Sequence, residues 1–199
     1  MANPASPKPM RADTERTVRA ILEAAERVLS ANPAATVEQI AEAAGVARTT
    51  VHRRFASRDA LIAALAAWAT QRFREAVEAA RPDTAPPAVA LHQATVNVLR
   101  VKVSWRFAMD ATATRADPEV ARVHAGILAS CERLFARARD TGLLGPDTDL
   151  DWARRVYYAL IHEAAAQEPS TDAAVDAQAT RVVTTLLHGL GGPKEAIGA

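Results

Sequence analysis

The chain has 199 residues, 49% hydrophobic and 24% charged, with a formal net charge of +1, a balance that suits a globular protein folding without disulfides or a structural metal. Its single cysteine, Cys131, fits a reducing compartment; no charged-then-apolar leader opens the sequence, and Arg, Glu or Gln breaks every long apolar stretch, so a cytoplasmic protein with no membrane role is expected. Charge placement is more informative than its sum: residues 1–58 hold nine Lys or Arg against six Asp or Glu, and 45–58 carries Arg48, Arg53, Arg54 and Arg58 with no acid, a small cationic surface.

The opening MANPASPKPM, with its three prolines, reads as an extended, poorly ordered arm over 1–12. From Asp13 onward Val18, Ile21, Leu22, Ala25, Val28 and Leu29 recur at helical spacing until Asn32-Pro33 stops the pattern. Thr36 and Gln39 form a capping box that opens a short second helix burying Val37, Ile40, Ala41 and Ala44. Gly45 takes a left-handed backbone without steric cost, so the chain turns at once into a third helix, Arg48 to Phe55. Two short helices around a glycine turn make a helix-turn-helix.

Ser57 as N-cap and Asp59 in the first turn begin a fourth helix whose buried side is Leu61, Leu65, Trp68 and Phe73. It runs to about Arg81, where PDTAPP separates two helical regions. Helical patterns follow at 87–103, 105–114, 118–141, 149–167 and 172–190, divided by Asp-Pro, Gly-Pro and Glu-Pro breaks, with no alternating strand pattern of useful length. An all-α fold is expected.

Two late segments are apolar on more than one side. In 149–167 one stripe holds Ala153, Tyr157, Leu160, Ile161 and Ala164, and an adjacent one holds Trp152, Val156 and Ala159; in the last helix Val182, Leu186 and Leu190 belong to a wide apolar arc. This predicts a two-fold four-helix dimer interface through Trp152, Val156, Ala159, Val182, Leu186 and Leu190. A pocket between helices is mostly apolar with a few polar groups. Trp105, Phe107, Met109, His124, Phe135, Tyr158 and His162 are therefore the candidates for a small hydrophobic or aromatic effector, although each taken singly reads more simply as ordinary core. Catalytic chemistry does not assemble: His162-Glu163 lacks a second ligand at Ala166, Cys131 has no readable His partner, and GLGGPK runs into Glu195 instead of Ser or Thr.

TVEQIAEAAGVARTTVHRRFASRDALIAAL, residues 36–65, resembles the DNA-binding signature of the tetracycline-repressor (TetR) family. The resemblance implies an N-terminal arm at 1–12, a three-helix helix-turn-helix DNA-binding domain at 13–57, a connecting helix at 58–83, and a helical-bundle ligand-binding and dimerisation domain at 84–199. It implies a cofactor-free homodimeric repressor, bound to palindromic double-stranded operator DNA and released by a small molecule. The alternative is a dimeric DNA-binding protein with no small-molecule effector. A recognition helix in the major groove presents its leading residues to base edges, here Arg48, Thr49 and Thr50. Arg48 suits a bidentate pair with guanine O6 and N7, and the threonine methyls suit thymine. The resemblance assigns Thr36, His52, Arg53, Arg54 and Arg58 to backbone phosphates, and half-sites spaced about 34–36 Å apart. Val51, Phe55 and Leu61 are expected in the core. Two positions depart from the family pattern: His52 stands where tyrosine is usual, and Ala47 where Ser or Thr caps the recognition helix. Because histidine gains charge as pH falls through about 6.5, a phosphate contact through His52 is expected to strengthen in acid.

Overall fold

The computed structural model describes residues 8–113 and 117–191, with side chains placed over 13–111 and 117–189. Among these residues the fold is nine helices and no strand: α1 (Lys8–Ala31), α2 (Val37–Ala43), α3 (Arg48–Arg54), α4 (Arg58–Ala79), α5 (Pro87–Ser104), α6 (Arg106–Ala113), α7 (Pro118–Asp140), α8 (Leu150–Ala166) and α9 (Asp172–Gly191). From α2 onward the elements fall within two residues of the sequence expectation. The expected arm does not extend to residue 12, because α1 begins at Lys8. Pro9 is tolerated there, since a first-turn residue has no intrahelical use for the amide hydrogen that proline lacks.

Two compact units share the chain. The first holds α1, α2, α3, α4 as far as Ala69, and α6; the second holds α4 from Thr70, α5, α7, α8 and α9. A division after a connecting helix at 58–83 was expected, but α4 contributes to both cores, Leu61, Leu65 and Ala69 to one and Val77 to the other. The segment from Trp105 also returns to the first unit instead of joining the second.

That return has a specific anchor. Glu26 of α1 is only 4% exposed, and a buried carboxylate is tolerated only when its oxygens are hydrogen-bonded. Its Oε1 accepts from the Phe107 amide at 2.8 Å and the Ser30 hydroxyl at 2.9 Å, and its Oε2 accepts from the Ala108 amide at 3.0 Å. These two amides belong to the first turn of α6, where helix amides lack partners of their own and a negative charge is favoured. Trp105, Phe107 and Met109 then pack on the first core around the fully buried Ala108.

In the second unit α5 lies against α7, α8 and α9, and α8 against α7 and α9. Leu99, Phe135, Leu144, Ala153 and Leu186 fill the interior. One polar link crosses it. The Thr95 hydroxyl donates to the Leu91 carbonyl at 2.7 Å, which leaves the buried Tyr157 hydroxyl to donate to Thr95 Oγ1 at 2.8 Å. From α7, Arg137 donates to the carbonyls of Pro82 and Ala85, and Arg133 holds Asp83 with two bonds of 2.8 and 3.1 Å. Together they fix the turn between α4 and α5. The apolar arc of α9 is spent here: Val182 and Leu186 are 3% and 1% exposed within their own protomer. The expectation that they line a dimer face is therefore corrected. The Leu190 side chain lies outside the described ones.

Glu26→Ala leaves the Phe107 and Ala108 amides unpaired, and is expected to cost about 2–4 kcal/mol in denaturant unfolding. Burial holds the Glu26 carboxyl above the usual carboxylate range despite its three donors. A raised folded-state pKa adds stability at pH below the ordinary carboxylate range and loses it as pH rises through the raised value, so the deficit of the variant is largest in acid and shrinks toward neutrality.

Candidate nucleic-acid interface

The geometry of this face starts at Thr36, whose backbone amide donates to Gln39 Oε1 at 2.9 Å while its hydroxyl accepts from the Gln39 amide at 3.3 Å. This is the capping box expected from the sequence, and it fixes where α2 begins. The helix ends at Gly45 with φ +67°, the Gly45 amide bonding the Glu42 carbonyl and the Val46 amide the Ala41 carbonyl, each at 3.0 Å. A Cβ at Gly45 meets nothing within 4 Å, so backbone conformation and not space demands glycine there. The turn sends α3 across α2, with Ile40, Ala41, Val51 and Phe55 buried together in the first core. The Ser57 hydroxyl then accepts from the Ala60 amide at 3.1 Å and starts α4. Ala47 provides no side-chain cap for α3.

With Val51 and Phe55 inward, the opposite side of α3 is left to solvent. Arg48, Thr49, His52, Arg53 and Arg54 are exposed and Thr50 half-buried. The four arginines differ in what already holds them. Arg58 is half-buried and donates to the carbonyls of Pro33 and Ala35, closing the turn between α1 and α2. Arg54 donates to Thr14 Oγ1 of α1 at 3.1 Å. Arg53 makes no hydrogen bond or ion pair among the described residues. Arg48 is held through its Nε alone, 2.7 Å from Glu38 Oε1 on α2 and 3.2 Å from His52 Nε2 one turn along α3. Sequence reasoning did not single out Glu38. Its own backbone amide, then the Thr36 hydroxyl, and then the charges of Arg48 and His52 hold its carboxyl below the usual range. It is a fixed negative charge inside the cationic face. The signal available in the sequence was an acid in the first turn of α2, a placement that also suits any helix N-terminus.

The seven effector candidates are not brought together. Trp105, Phe107 and Met109 belong to the first unit, packed against its core. His124 and His162 are exposed. Phe135 and Tyr158 both lie against Tyr157 in the second unit, their ring centroids 5.6 and 6.0 Å from its own. The Tyr158 hydroxyl is buried without a well-placed hydrogen-bond partner, its polar neighbours being Arg154 and the Cys131 thiol; burial pushes both the phenol and the thiol up. Of the expected dimer residues, Trp152 is 52% exposed with the Arg155 guanidinium 5.3 Å from its ring centre, Ala159 is exposed and Val156 half-buried, so α8 retains a free apolar stripe. Among the described residues no helix is long and apolar enough to cross a membrane.

A capped helix, a glycine turn and a short, outward-facing cationic helix on a compact three-helix core define a helix-turn-helix DNA-binding protein, with an all-helical second unit attached. Residues 21–65 match the family described as bacterial regulatory proteins, tetR family. The chain is 36% identical over 180 residues, 88% of its length and 91% of the relative's, to the HTH-type transcriptional repressor LfrR of Mycolicibacterium smegmatis. It belongs to the TetR family and is a DNA-binding transcriptional regulator. The crystal structure of LfrR in complex with proflavine superposes with a TM-score of 0.62 at 30% identity, covering 90% of this chain and 99% of that one. The regulator PfmR from Thermus thermophilus, at 18% identity, shares the fold with a TM-score of 0.72 over 87% of this chain and 99% of its own.

In the geometry found, Arg48 donates to His52 Nε2. His52→Ala removes that acceptor and is expected to lower operator affinity several-fold at fixed salt. An affinity unchanged in His52→Ala removes His52 from the contact set.

Proposed function

We propose that the protein is a homodimeric repressor which binds a palindromic operator through two copies of α3 and is released by a small hydrophobic or aromatic molecule. The observation that carries the DNA assignment is the exposure of Arg48 and Arg53 on a short helix whose Val51 and Phe55 are buried. Arg48 stands at the leading end, where base edges are read, and Thr49 and Thr50 beside it suit thymine methyls. Arg53, unengaged and further along, is the principal phosphate contact, with His52 and Arg54 adding to it and Thr36 flanking at the start of α2. Arg58 is given a different role from the one the resemblance implied, because two backbone carbonyls already occupy its guanidinium. It holds the turn behind the reading face.

Dimerisation is placed on α8, along Trp152, Val156 and Ala159, with the outer side of α9 beside it and Val182 and Leu186 serving the core behind. For the effector, proflavine bound to the LfrR relative favours a planar aromatic class. The Phe135, Tyr157 and Tyr158 rings, with the unsatisfied Tyr158 hydroxyl, are the group in the second unit suited to it. Its relatives are regulators, and no catalytic role is assigned to the chain. A cytoplasmic location follows from a nucleic-acid target.

Selection of bound duplexes from a random pool at fixed salt tests the operator assignment, with enrichment of a palindrome expected. Arg48→Ala should relax preference at one position in each half-site, with a loss of about 1–3 kcal/mol of discrimination. Arg53→Ala should weaken selected and unselected DNA alike, and reduce the salt slope by about 0.9 for each phosphate no longer neutralised. No enrichment with the wild type overturns the operator reading. For the assembly, Trp152→Asp is expected to give a folded monomer by sedimentation, and a dimer that persists in this variant moves the interface away from α8.

A further inference from the structure

Arg48 has five N–H donors, one on Nε and four on its two terminal nitrogens. Its one hydrogen bond among the described residues, to His52 Nε2, uses Nε, and Glu38 Oε1 comes nearest at the same atom, so the terminal fork donates no hydrogen bond and is free to do so. That fork is the part that matches guanine O6 and N7 in a bidentate pair. A long side chain with four rotatable torsions is thereby held near one direction before DNA arrives, so less freedom remains to be lost on contact. The same carboxylate discriminates between partners. A phosphate approaching the Arg48 fork meets Glu38 as a second negative charge a few ångströms away, whereas a neutral base edge does not.

We infer that Glu38 is a specificity-determining residue of the DNA-reading face: it positions Arg48 for a guanine edge and disfavours its use as a general phosphate contact. This rests on the proposal that α3 reads DNA, and adds that an acid on α2 decides how one arginine of α3 is spent. The face gives up affinity for DNA in general and keeps discrimination. Thr36 takes part, since its hydroxyl lies close enough to help hold the Glu38 carboxyl below the usual range.

The test compares wild type, Glu38→Gln, Arg48→Ala and the double variant. Each is titrated against the selected duplex, a set of the same duplex with each guanine replaced in turn, and a mixed-sequence duplex. Glu38 is about half exposed, so the isosteric amide should keep the fold, and thermal melting verifies it. Glu38→Gln is expected to bind the mixed-sequence duplex several-fold more tightly, while the ratio of affinities between the selected duplex and the duplex lacking the guanine read by Arg48 falls by about fivefold to tenfold. In the Arg48→Ala background the same change should leave that ratio unaltered, which a merely structural role for Glu38 would not produce. An unchanged ratio in Glu38→Gln, or an equal fall in both backgrounds, overturns the inference. If the wild type selects no sequence, the operator reading fails first, and that result is distinct from either.

Discussion

The arrangement of the first unit depends on one buried carboxylate. Glu26 sits where the apolar periodicity of α1 calls for a nonpolar side chain, and three donors converge on it: a serine one turn along and two amides from a helix more than eighty residues away in the chain. Without Glu26 the first turn of α6 would have amides facing an apolar core, and apolar packing of Trp105, Phe107, Ala108 and Met109 alone would hold it against α1. The return has a topological consequence. The chain crosses between the two units at three places, and α6 is bracketed on both sides by segments of the other unit, α5 before it and α7 after it.

On the reading face the constraint is the number of cations left free after folding. Four arginines lie between 48 and 58, and a count of charges treats them as equivalent. Folding does not. Arg58 closes the turn between α1 and α2, Arg54 reaches Thr14, and Arg48 is shared between Glu38 and His52. Exposed ion pairs contribute little stability, so the Glu38–Arg48 pair matters less for holding α2 to α3 than for setting the direction and partner of the arginine.

Elements and motif were legible in the sequence because they are written in local terms: the Thr36 and Gln39 capping box, the positive φ that Gly45 accepts, and the Ser57 cap each involve residues at most a few positions apart. What was not legible depends on distant partners. Glu26 reads as a polar residue of an amphipathic helix until Phe107 and Ala108 are placed beside it. Trp105, Phe107 and Met109 read as pocket residues because their position after α5 suggests the second unit, and only the anchor at Glu26 sends them to the first. Val182 and Leu186 were assigned to an interface because the arc on α9 is too wide for a surface helix. The packing of α9 against both α5 and α8 accounts for that width within one protomer.

The scarcity of free cations also bears on why pairing matters. Phosphate neutralisation supplies most of the sequence-independent affinity of a DNA-binding protein. A face that commits Arg58 to its own fold and opposes Arg48 with an acid holds less of it than its four arginines suggest, so on the proposed reading one protomer would grip a half-site weakly. In the proposed dimer, two protomers on one duplex would convert the second contact into an intramolecular one, and the effective concentration of the second head would make up what the face lacks in charge. On this account operator affinity is governed by whatever fixes the spacing of the two heads more than by contacts within either. The proposed effector, by altering that spacing, would need only to change the fit of one head by a few kilocalories per mole to release both.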